Sequence, residues 1–182
     1  AAEFELQQSQ KRLVEAQNTA HIGNYVYDIA RDTWSCSRTL DQIFGIDSHI
    51  TKNMEVWVDL VVPKHRNMVQ NHFTQAIAEH GKFNLDYQIR RKSDGAVRWV
   101  TGLGFFSFSE DGKALSLECV IQDITERKEA EIRLKENEDL LNDAQRTARI
   151  GSYVTDIKTG TWRGSAMMDE IFGIREDEAK TI

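Results

Sequence analysis

The chain has 182 residues, of which 40% are hydrophobic and 29% are charged, and its formal net charge is −6 at pH 7. This composition supports a hydrophobic core and disfavours intrinsic disorder. The acidic balance argues against a nucleic-acid partner, and the apolar runs are far shorter than the roughly 20 residues of a membrane helix. The polar start predicts no signal peptide, and Cys36 and Cys119, which lack metal-ligand spacing, predict buried thiols in a reducing compartment. We therefore expect a cytoplasmic protein.

Two polar segments, residues 1–17 and 126–148, have the heptad spacing of helices with a narrow apolar seam. The seam positions of the second segment are Ala130, Leu134, Asn137, Leu141, Ala144 and Ala148. Its polar position, Asn137, has a counterpart in Ser9 of the first segment. A buried polar residue at a seam can fix the register and oligomeric state of a coiled coil. We expect these helices to pair between chains; a solvated helix packed along its own domain is the alternative.

Residues 18–125, between the two helices, are expected to form one domain. Apolar spacing predicts a strand, a second strand and two short helices in its first half, at residues 22–29, 33–37, 38–46 and 54–62. In the first strand, Tyr25 and Tyr27 lie on one side and Asn24 and Val26 on the other.

The second half of the domain is predicted to begin with a longer helix at Pro63, because proline is favoured in the first turn. After Gly81 the pattern alternates with a period of two, which predicts three strands at residues 83–90, 97–108 and 114–124. The two connecting turns contain Asp-Gly, a strong hairpin signal. Strands at both ends of one compact domain are expected to share a sheet. We therefore predict an α+β fold, a five-stranded antiparallel sheet with helices on one face.

The opening of the chain recurs 128 residues later, as the offset from Gly23 to Gly151 shows. Residues 2–46 and 130–174 are identical at 22 of 45 positions, and the match includes the helical segment as well as the strands. A period this long predicts a tandem array of whole domains. We expect residues 149–182 to be the incomplete N-terminal part of a second domain and to pack on another copy of the chain.

This order of elements, with Asp123-Ile124-Thr125 leading directly into a charged helix, resembles a PAS domain. The subtype it resembles, PAS fold-3-like with a C-terminal PAC motif, has a Trp in the fourth strand after an Asp-Gly turn, here DGAVRWV at residues 94–100. The resemblance covers residues 17–125 in full and 145–182 as a fragment. It departs at residues 62–65, Val-Pro-Lys-His, where the family commonly has His-Pro-Asp-Asp. We carry over no role attached to those acids.

The resemblance implies a sensory and dimerisation module of a multidomain signalling protein in a two-component system. The implied output is a sensor histidine kinase, with a cyclic-dinucleotide enzyme as the alternative. It also implies that Asp123, Ile124 and Thr125 relay a signal into the helix, where Asn137 lies on the seam. Independently, Asp123 and Glu126 have the spacing of a capping box. The sequence has no phosphate-accepting histidine motif and no Gly-rich nucleotide loop, so we expect no enzymatic activity in these residues.

PAS domains often hold a small ligand between sheet and helices. The side chains expected to line such a pocket, or to pack it shut, are Tyr25, Ile43, Phe44, Val69, His72, Phe73, Tyr87, Trp99 and Leu117. A flavin or haem redox or gas sensor is the alternative. Photoreactive flavin would need an Asn-Cys-Arg helix motif, which the sequence lacks, and haem would need an axial histidine, for which His65 and His72 share a helix face. Such histidines are more often structural, so we expect neither cofactor, and the scattered histidines predict no metal site.

Apolar residues occur on both sides of the fourth strand, with Trp99, Leu103 and Phe105 on one side and Val100 and Phe106 on the other. Both faces of the sheet are therefore expected to be covered. The helices cover one face, and the N-terminal helix or a partner subunit covers the other. We expect a homodimer joined by the helices and by this outer sheet face, with neither nucleic acid nor membrane as a partner.

Overall fold

The computed structural model describes residues 19–174 and, in the N-terminal segment, residues 4, 8, 11–12 and 15–17. The described residues of that segment are helical, as predicted, whereas Ser9 and residues 175–182 lie outside the described residues. The chain divides into two compact units, Ala1–Lys128 and Glu129–Ile182. Within the described part of the chain, no helix has the length and apolar character needed to cross a membrane.

The first unit opens with two strands and a short helix: β1 (Ile22–Asp28), β2 (Thr33–Cys36) and α1 (Arg38–Phe44). Helix α1 begins after Ser37, whose side chain accepts a hydrogen bond from the Leu40 N–H, and it ends at Gly45 in the left-handed conformation, with φ of 62°. A Cβ at Gly23 would lie 2.6 Å from the Leu40 Cβ, so only glycine lets β1 pack directly against α1.

Two helices and three long strands follow: α2 (Met54–Leu60), α3 (Pro63–Ala78), β3 (Lys82–Arg90), β4 (Val97–Phe108) and β5 (Ala114–Asp123). The five strands form one antiparallel sheet in the order β2-β1-β5-β4-β3. The first strand thus lies beside the last, with Tyr25 opposite Cys119. The predicted five-stranded α+β fold is confirmed.

Helices α1 to α3 cover one face of the sheet, and the core lies between the two layers. Alternate strand residues face this layer, and most of them are buried. In β4 the fully buried inward residues are Val100, Gly102 and Gly104, and Phe106 is half-buried on the same side. A Cβ at Gly102 would lie 2.9 Å from the Phe83 ring, and one at Gly104 would lie 2.7 Å from Leu117 Cδ1. The inner side of β4 is therefore flat because its neighbours fill the space above it.

The opposite face of the sheet exposes large apolar side chains. Four of them we call the outer-face patch: Val26, Leu103, Phe105 and Val120, each between 42% and 53% exposed. Leu103 lies opposite Val120 and two residues from Phe105 on the same strand, whereas the exposed Glu118 lies between Val26 and Phe105. The patch is therefore apolar with one negative charge within it.

The long helix α4 (Thr125–Ala148) follows β5 directly, and three short elements complete the described chain: β6 (Tyr153–Asp156), β7 (Thr161–Gly164) and α5 (Ala166–Phe172). They repeat the local structure of β1, β2 and α1. Ser165 caps the start of α5 and Gly173 ends it, as Ser37 and Gly45 do for α1. Phe172 is 63% exposed, whereas its counterpart Phe44 is fully buried, so the second unit leaves a core position open.

Candidate functional site

An interior cavity lies between the sheet and the helices of the first unit. Its walls are Tyr25, Tyr27, Trp34, Phe44, Met54, Trp57, Phe73 and Leu117. The cavity volume is about 20 Å³, which is room for about one water. The aromatic walls meet edge to face; the ring centroids of Trp34 and Phe44 are 6.2 Å apart at an interplanar angle of 85°. The cavity is therefore small and apolar.

Four of the residues predicted to line a pocket line this cavity: Tyr25, Phe44, Phe73 and Leu117. Ile43, Val69 and Tyr87 are buried core residues outside the lining. Trp99 lies on the other face of the sheet, opposite Gln88, so its place in the predicted lining is corrected. The reason is the alternation of β4, which places Gly102 and Gly104 on the side that faces the helices and Trp99 on the opposite side.

Sequence reasoning missed four lining residues: Tyr27, Trp34, Met54 and Trp57. A signal for Tyr27 was present, because the alternation of β1 puts it on the same side as Tyr25. Met54 and Trp57 are three residues apart and share one face of α2. Nothing in a single sequence says which of several apolar faces borders a void, so these residues read as ordinary core.

The two histidines of α3 bond to strand β3 instead of facing the cavity. His65 Nδ1 accepts the Gln88 N–H at 2.9 Å, and His72 Nε2 accepts the Asn84 N–H at 3.1 Å. Burial lowers the pKa of His65, and the charge of Lys64 lowers it further. These residues do not fit an axial haem ligand at the cavity. Among the described residues, no group of three or more His, Cys, Asp and Glu side chains could hold a metal ion.

Polar groups inside the core remain protonated at neutral pH. Burial raises the pKa of Tyr25 well above its usual value, with Cys119 adding to the rise, and burial raises the pKa of Cys119 itself to about 12. Burial also raises the pKa of Tyr87, which the nearby Trp57 indole partly opposes. The Tyr87 hydroxyl and Trp57 Nε1 are both buried and make no hydrogen bond of ordinary length, but they lie close enough for the indole N–H to act on the pKa of the hydroxyl. The core thus offers uncharged hydrogen-bond donors and no charge.

A charged cluster lies beside the cavity wall at Trp34. Lys52 Nζ is 2.6 Å from Asp41 Oδ1, 3.1 Å from Cys36 Sγ and 5.6 Å from the Trp34 ring centroid. The Lys52 and Asp41 side chains are only 12% and 15% exposed. Burial and the hydrogen bond to Asp41 raise the pKa of Cys36 to about 11, although Lys52 opposes this rise. The cluster ties β2, α1 and the loop before α2 together, with Cys36 as a thiol.

The second candidate site is the joint between β5 and α4, formed by Asp123, Ile124 and Thr125. The Thr125 hydroxyl donates to Asp123 Oδ1 at 2.6 Å and accepts the Trp99 N–H at 2.9 Å. The Ile124 N–H donates to the Trp99 carbonyl at 2.9 Å. Thr125 is 5% exposed. The first residue of α4 is therefore bonded to the backbone of β4 and shielded from water.

The chain enters the sheet at the same corner where it leaves. The Asp123 N–H donates to the His21 carbonyl at 3.2 Å, and Gln122 Nε2 donates to the Ala20 carbonyl at 3.4 Å. The segment that precedes β1 thus contacts the joint that precedes α4.

The first turn of α4 is also held on the outer side of the sheet. Lys128 Nζ lies 2.9 Å from Asp86 Oδ2 and 5.7 Å from the Trp99 ring centroid, and an Arg127 nitrogen lies 3.7 Å from Asp86. Burial alone would raise the pKa of Asp86, but hydrogen bonds from Lys128 and Thr101 and the nearby positive charges outweigh it and lower the pKa. Trp99, wrongly predicted in the cavity, instead forms part of this helix contact.

These features define a class of protein. A five-stranded antiparallel sheet with helices on one face, and a last strand continuous with a long helix, is the architecture predicted from the resemblance. A family model described as the PAS fold matches residues 33–121. The first unit is a PAS domain, and the chain is a sensory PAS module of the kind found in signalling proteins.

Two curated relatives carry the names of enzymes. The chain is 29% identical over 128 residues to the blue-light-activated histidine kinase of Brucella anthropi, covering 70% of this chain and 25% of that protein. It is 24% identical over 123 residues to "Probable diguanylate cyclase DgcE" of Escherichia coli K12, covering 68% of this chain and 11% of that protein. The chain therefore spans a quarter or less of the length of these relatives.

Solved structures share the fold at low sequence identity. A sensory box histidine kinase/response regulator from Burkholderia thailandensis superposes with a TM-score of 0.62 at 20% identity, covering 72% of this chain and 98% of that chain. The N-terminal domain of a diguanylate cyclase with PAS/PAC sensor from Marinobacter aquaeolei gives a TM-score of 0.54 at 15% identity, covering 59% and 98%.

Proposed function

We propose that this module has no catalytic activity of its own and passes a change in the sheet through the Asp123–Thr125 joint into α4. The observation that carries the proposal is the bonding of the joint to Trp99. Both the N–H and the carbonyl of Trp99 bond to Ile124 or Thr125. A ligand or partner that shifts β4 therefore displaces the first turn of α4.

The output of this relay is a kinase or a cyclase carried by the rest of a larger protein. Both kinds of enzyme occur among the relatives, as the histidine kinase and the diguanylate cyclase. We take a sensor histidine kinase as the first choice and a cyclic-dinucleotide enzyme as the alternative. Residues 149–182 are, in this proposal, the start of a second PAS domain, which the repeated local structure and the exposed Phe172 support.

The module acts as a homodimer. Two surfaces support this: the outer-face patch, and the apolar seam of α4, on which Leu134 and Leu141 are 61% and 63% exposed. Between these two leucines lies Asn137, which is also exposed. In a paired helix it would be a polar seam position, which keeps the pairing weak enough to change.

The experiment measures kinase or cyclase output of the full-length protein that carries this module. Thr125→Val keeps the shape of the side chain but removes its hydrogen bonds, and Asn137→Leu makes the seam fully apolar. We expect both substitutions to change the basal output and to abolish its response to stimulus. The matched control is Thr74→Val, because the Thr74 hydroxyl bonds only within α3, to the Gln70 carbonyl at 3.0 Å. A normal response in both relay variants would refute the joint model.

A further inference from the structure

Two histidines of α3 hold the free edge of the sheet. Strand β3 lies at the end of the strand order, so one of its sides has no strand partner. On that side the Gln88 N–H donates to His65 Nδ1 at 2.9 Å, and the Asn84 N–H donates to His72 Nε2 at 3.1 Å. The Val62 N–H, just before α3, donates to the Gln88 carbonyl at 3.0 Å. The imidazoles therefore act as acceptors for strand groups that point away from β4.

The two contacts are in register along the edge. From His65 to His72 the helix makes about two turns and rises about 10 Å, and from Gln88 to Asn84 the strand advances about 13 Å. Helix α3 therefore runs along the strand in the opposite direction, so that both histidines meet a backbone N–H. The His72 ring also packs against Phe83, with ring centroids 5.4 Å apart. We call this pair of contacts the histidine latch.

Each hydrogen bond of the histidine latch requires an unprotonated ring nitrogen. A backbone N–H can only donate, so the histidine nitrogen that faces it must keep its lone pair. In the histidinium ion both ring nitrogens carry a proton, and the hydrogen bond is replaced by a contact between two donors. An ordinary histidine takes up its proton at about pH 6.5. Mild acid therefore turns an attractive contact into a repulsive one.

The surroundings of His65 oppose its protonation while the latch is closed. Burial lowers the pKa of His65, and the charge of Lys64 lowers it further. The His65 and Trp99 ring centroids are 5.5 Å apart, and Lys128 Nζ lies 5.7 Å from the same Trp99 centroid. Asp86, the acid of β3, is engaged by Lys128 at 2.9 Å. A proton taken up by His65 therefore adds positive charge to a neighbourhood that already contains two lysines.

We propose that protons are an input to this module: protonation of His65 and His72 opens the histidine latch and frees α3 from the edge of β3. The contribution of His65 to stability is full above its unfolded pKa of about 6.5 and is lost as the pH falls through the lower folded value. The step from the latch to α4 rests on the proposed function, because it passes through Trp99, whose backbone holds the joint. Acid thus acts on the joint from the β3 side of the sheet.

An NMR titration of the whole chain from about pH 8 to about pH 5 tests the latch. The imidazole resonances report protonation, and hydrogen exchange of the Gln88 and Asn84 amides, corrected for its intrinsic pH dependence, reports opening. We expect protection of the Gln88 amide to fall at least about fivefold over this range, because the opened His65 takes up a proton more readily than the closed one. Protection of the Asn84 amide should fall in the same direction. The Ser37 amide, which donates to the backbone of β1 at 2.9 Å, is the internal control and should keep its protection.

The double variant His65→Asn with His72→Gln separates the hydrogen bonds from the proton. The Asn oxygen takes the place of Nδ1 and the Gln oxygen that of Nε2, so each position keeps an acceptor that does not titrate. We expect the Gln88 and Asn84 amides of this variant to stay protected at both ends of the pH range. His49→Gln is the matched control, because His49 is exposed in the loop before α2, and it should behave as the wild type does.

Constant protection of the Gln88 amide in the wild type would overturn the proposal, and so would an equal loss in the double variant. Should the double variant fail to fold, the wild-type titration decides by itself, since it follows rings and amides in one sample. The Thr125 amide reports the joint in that titration and should shift together with the His65 ring. A latch that opens without moving the Thr125 amide would refute passage through Trp99. The titration involves no output domain, so a latch that stays closed leaves the Thr125→Val test of the joint unaffected.

Discussion

The side chains beside the cavity show how pairing sets reactivity at the scale of single residues. Cys36 lies between an acid and a base, since its thiol donates to Asp41 and accepts from Lys52. Burial and the Asp41 carboxylate outweigh the Lys52 ammonium, so the pKa of Cys36 rises to about 11 from an ordinary value of 9.0. The thiolate is the reactive form of cysteine, so this residue is a packing and hydrogen-bonding group at neutral pH.

Alkylation of Cys36 tests this interpretation. A rise in pKa from 9.0 to about 11 leaves about a hundredfold less thiolate at pH 8, so iodoacetamide should react correspondingly slowly. Asp41→Asn removes the negative charge that disfavours the Cys36 thiolate and should speed the reaction at least about tenfold. Peptide mass spectrometry follows Cys36 separately from Cys119. Rapid alkylation of the wild type at pH 8 would contradict the assignment.

At the scale of elements, the first turn of α4 is held by contacts with both β4 and β3. Thr125 is bonded to the backbone of β4, while Lys128 contacts Asp86 of β3 and the ring of Trp99. The strand pair β3–β4 therefore fixes where α4 starts. A change in the spacing or twist of these two strands acts on the helix from both contacts together.

The acidic partner in this contact gives the stability a defined pH dependence. The pKa of Asp86 is lowered in the folded state, so its contribution is present above the unfolded pKa near 3.9 and is lost as the pH falls through the lower folded value. Asp86→Asn should reduce the free energy of unfolding by at most about 1 kcal/mol at pH 7, since the pair is partly exposed. The difference from wild type should shrink between about pH 4 and pH 2 in denaturant titrations.

Glu110→Gln in the β4–β5 turn is the matched control for Asp86→Asn. Glu110 is exposed, and its substitution also removes one negative charge. We expect little change in this variant at any pH. Equal pH profiles for the two variants would show that net charge, and not the contact with Lys128, controls the acid response.

At the scale of the whole molecule, the outer-face patch is the main apolar surface that the first unit leaves uncovered on its sheet. Phe105 is its most exposed member, at 53%, and Lys82 lies over its ring. Glu118, on the same face, supplies a negative charge next to Phe105. A second copy related by a twofold axis would bring apolar residues together and could pair Lys82 of one copy with Glu118 of the other.

Phe105→Glu tests the dimer. A charge in the middle of the patch should shift the protein to monomers, because a buried unpaired carboxylate opposes association. Sedimentation equilibrium over a range of concentrations gives the dissociation constant. Ile50→Glu is the control, since Ile50 is 38% exposed but lies in the loop before α2. If the wild type sediments as a monomer at every concentration, the dimer proposal is wrong.

Local patterns predicted the elements well, because helix caps, Asp-Gly turns and two-residue alternation act within a few residues. The order of the sheet followed from the resemblance and from the need to place five strands in one layer. Trp99 was misplaced because β4 is apolar on both sides, so periodicity could not choose the inward one. The choice is made by Phe83 and Leu117 on other strands. The contact between the Trp57 and Tyr87 rings was equally invisible, since it joins distant parts of the chain.

The hydrogen bond between Asp123 and His21 brings the two ends of the sheet domain to one corner. About a hundred residues leave this corner and return to it within hydrogen-bonding distance. Adjacent termini of this kind allow a whole domain to be inserted into a longer chain or removed from it. A sequence that repeats helix and domain together is compatible with this geometry.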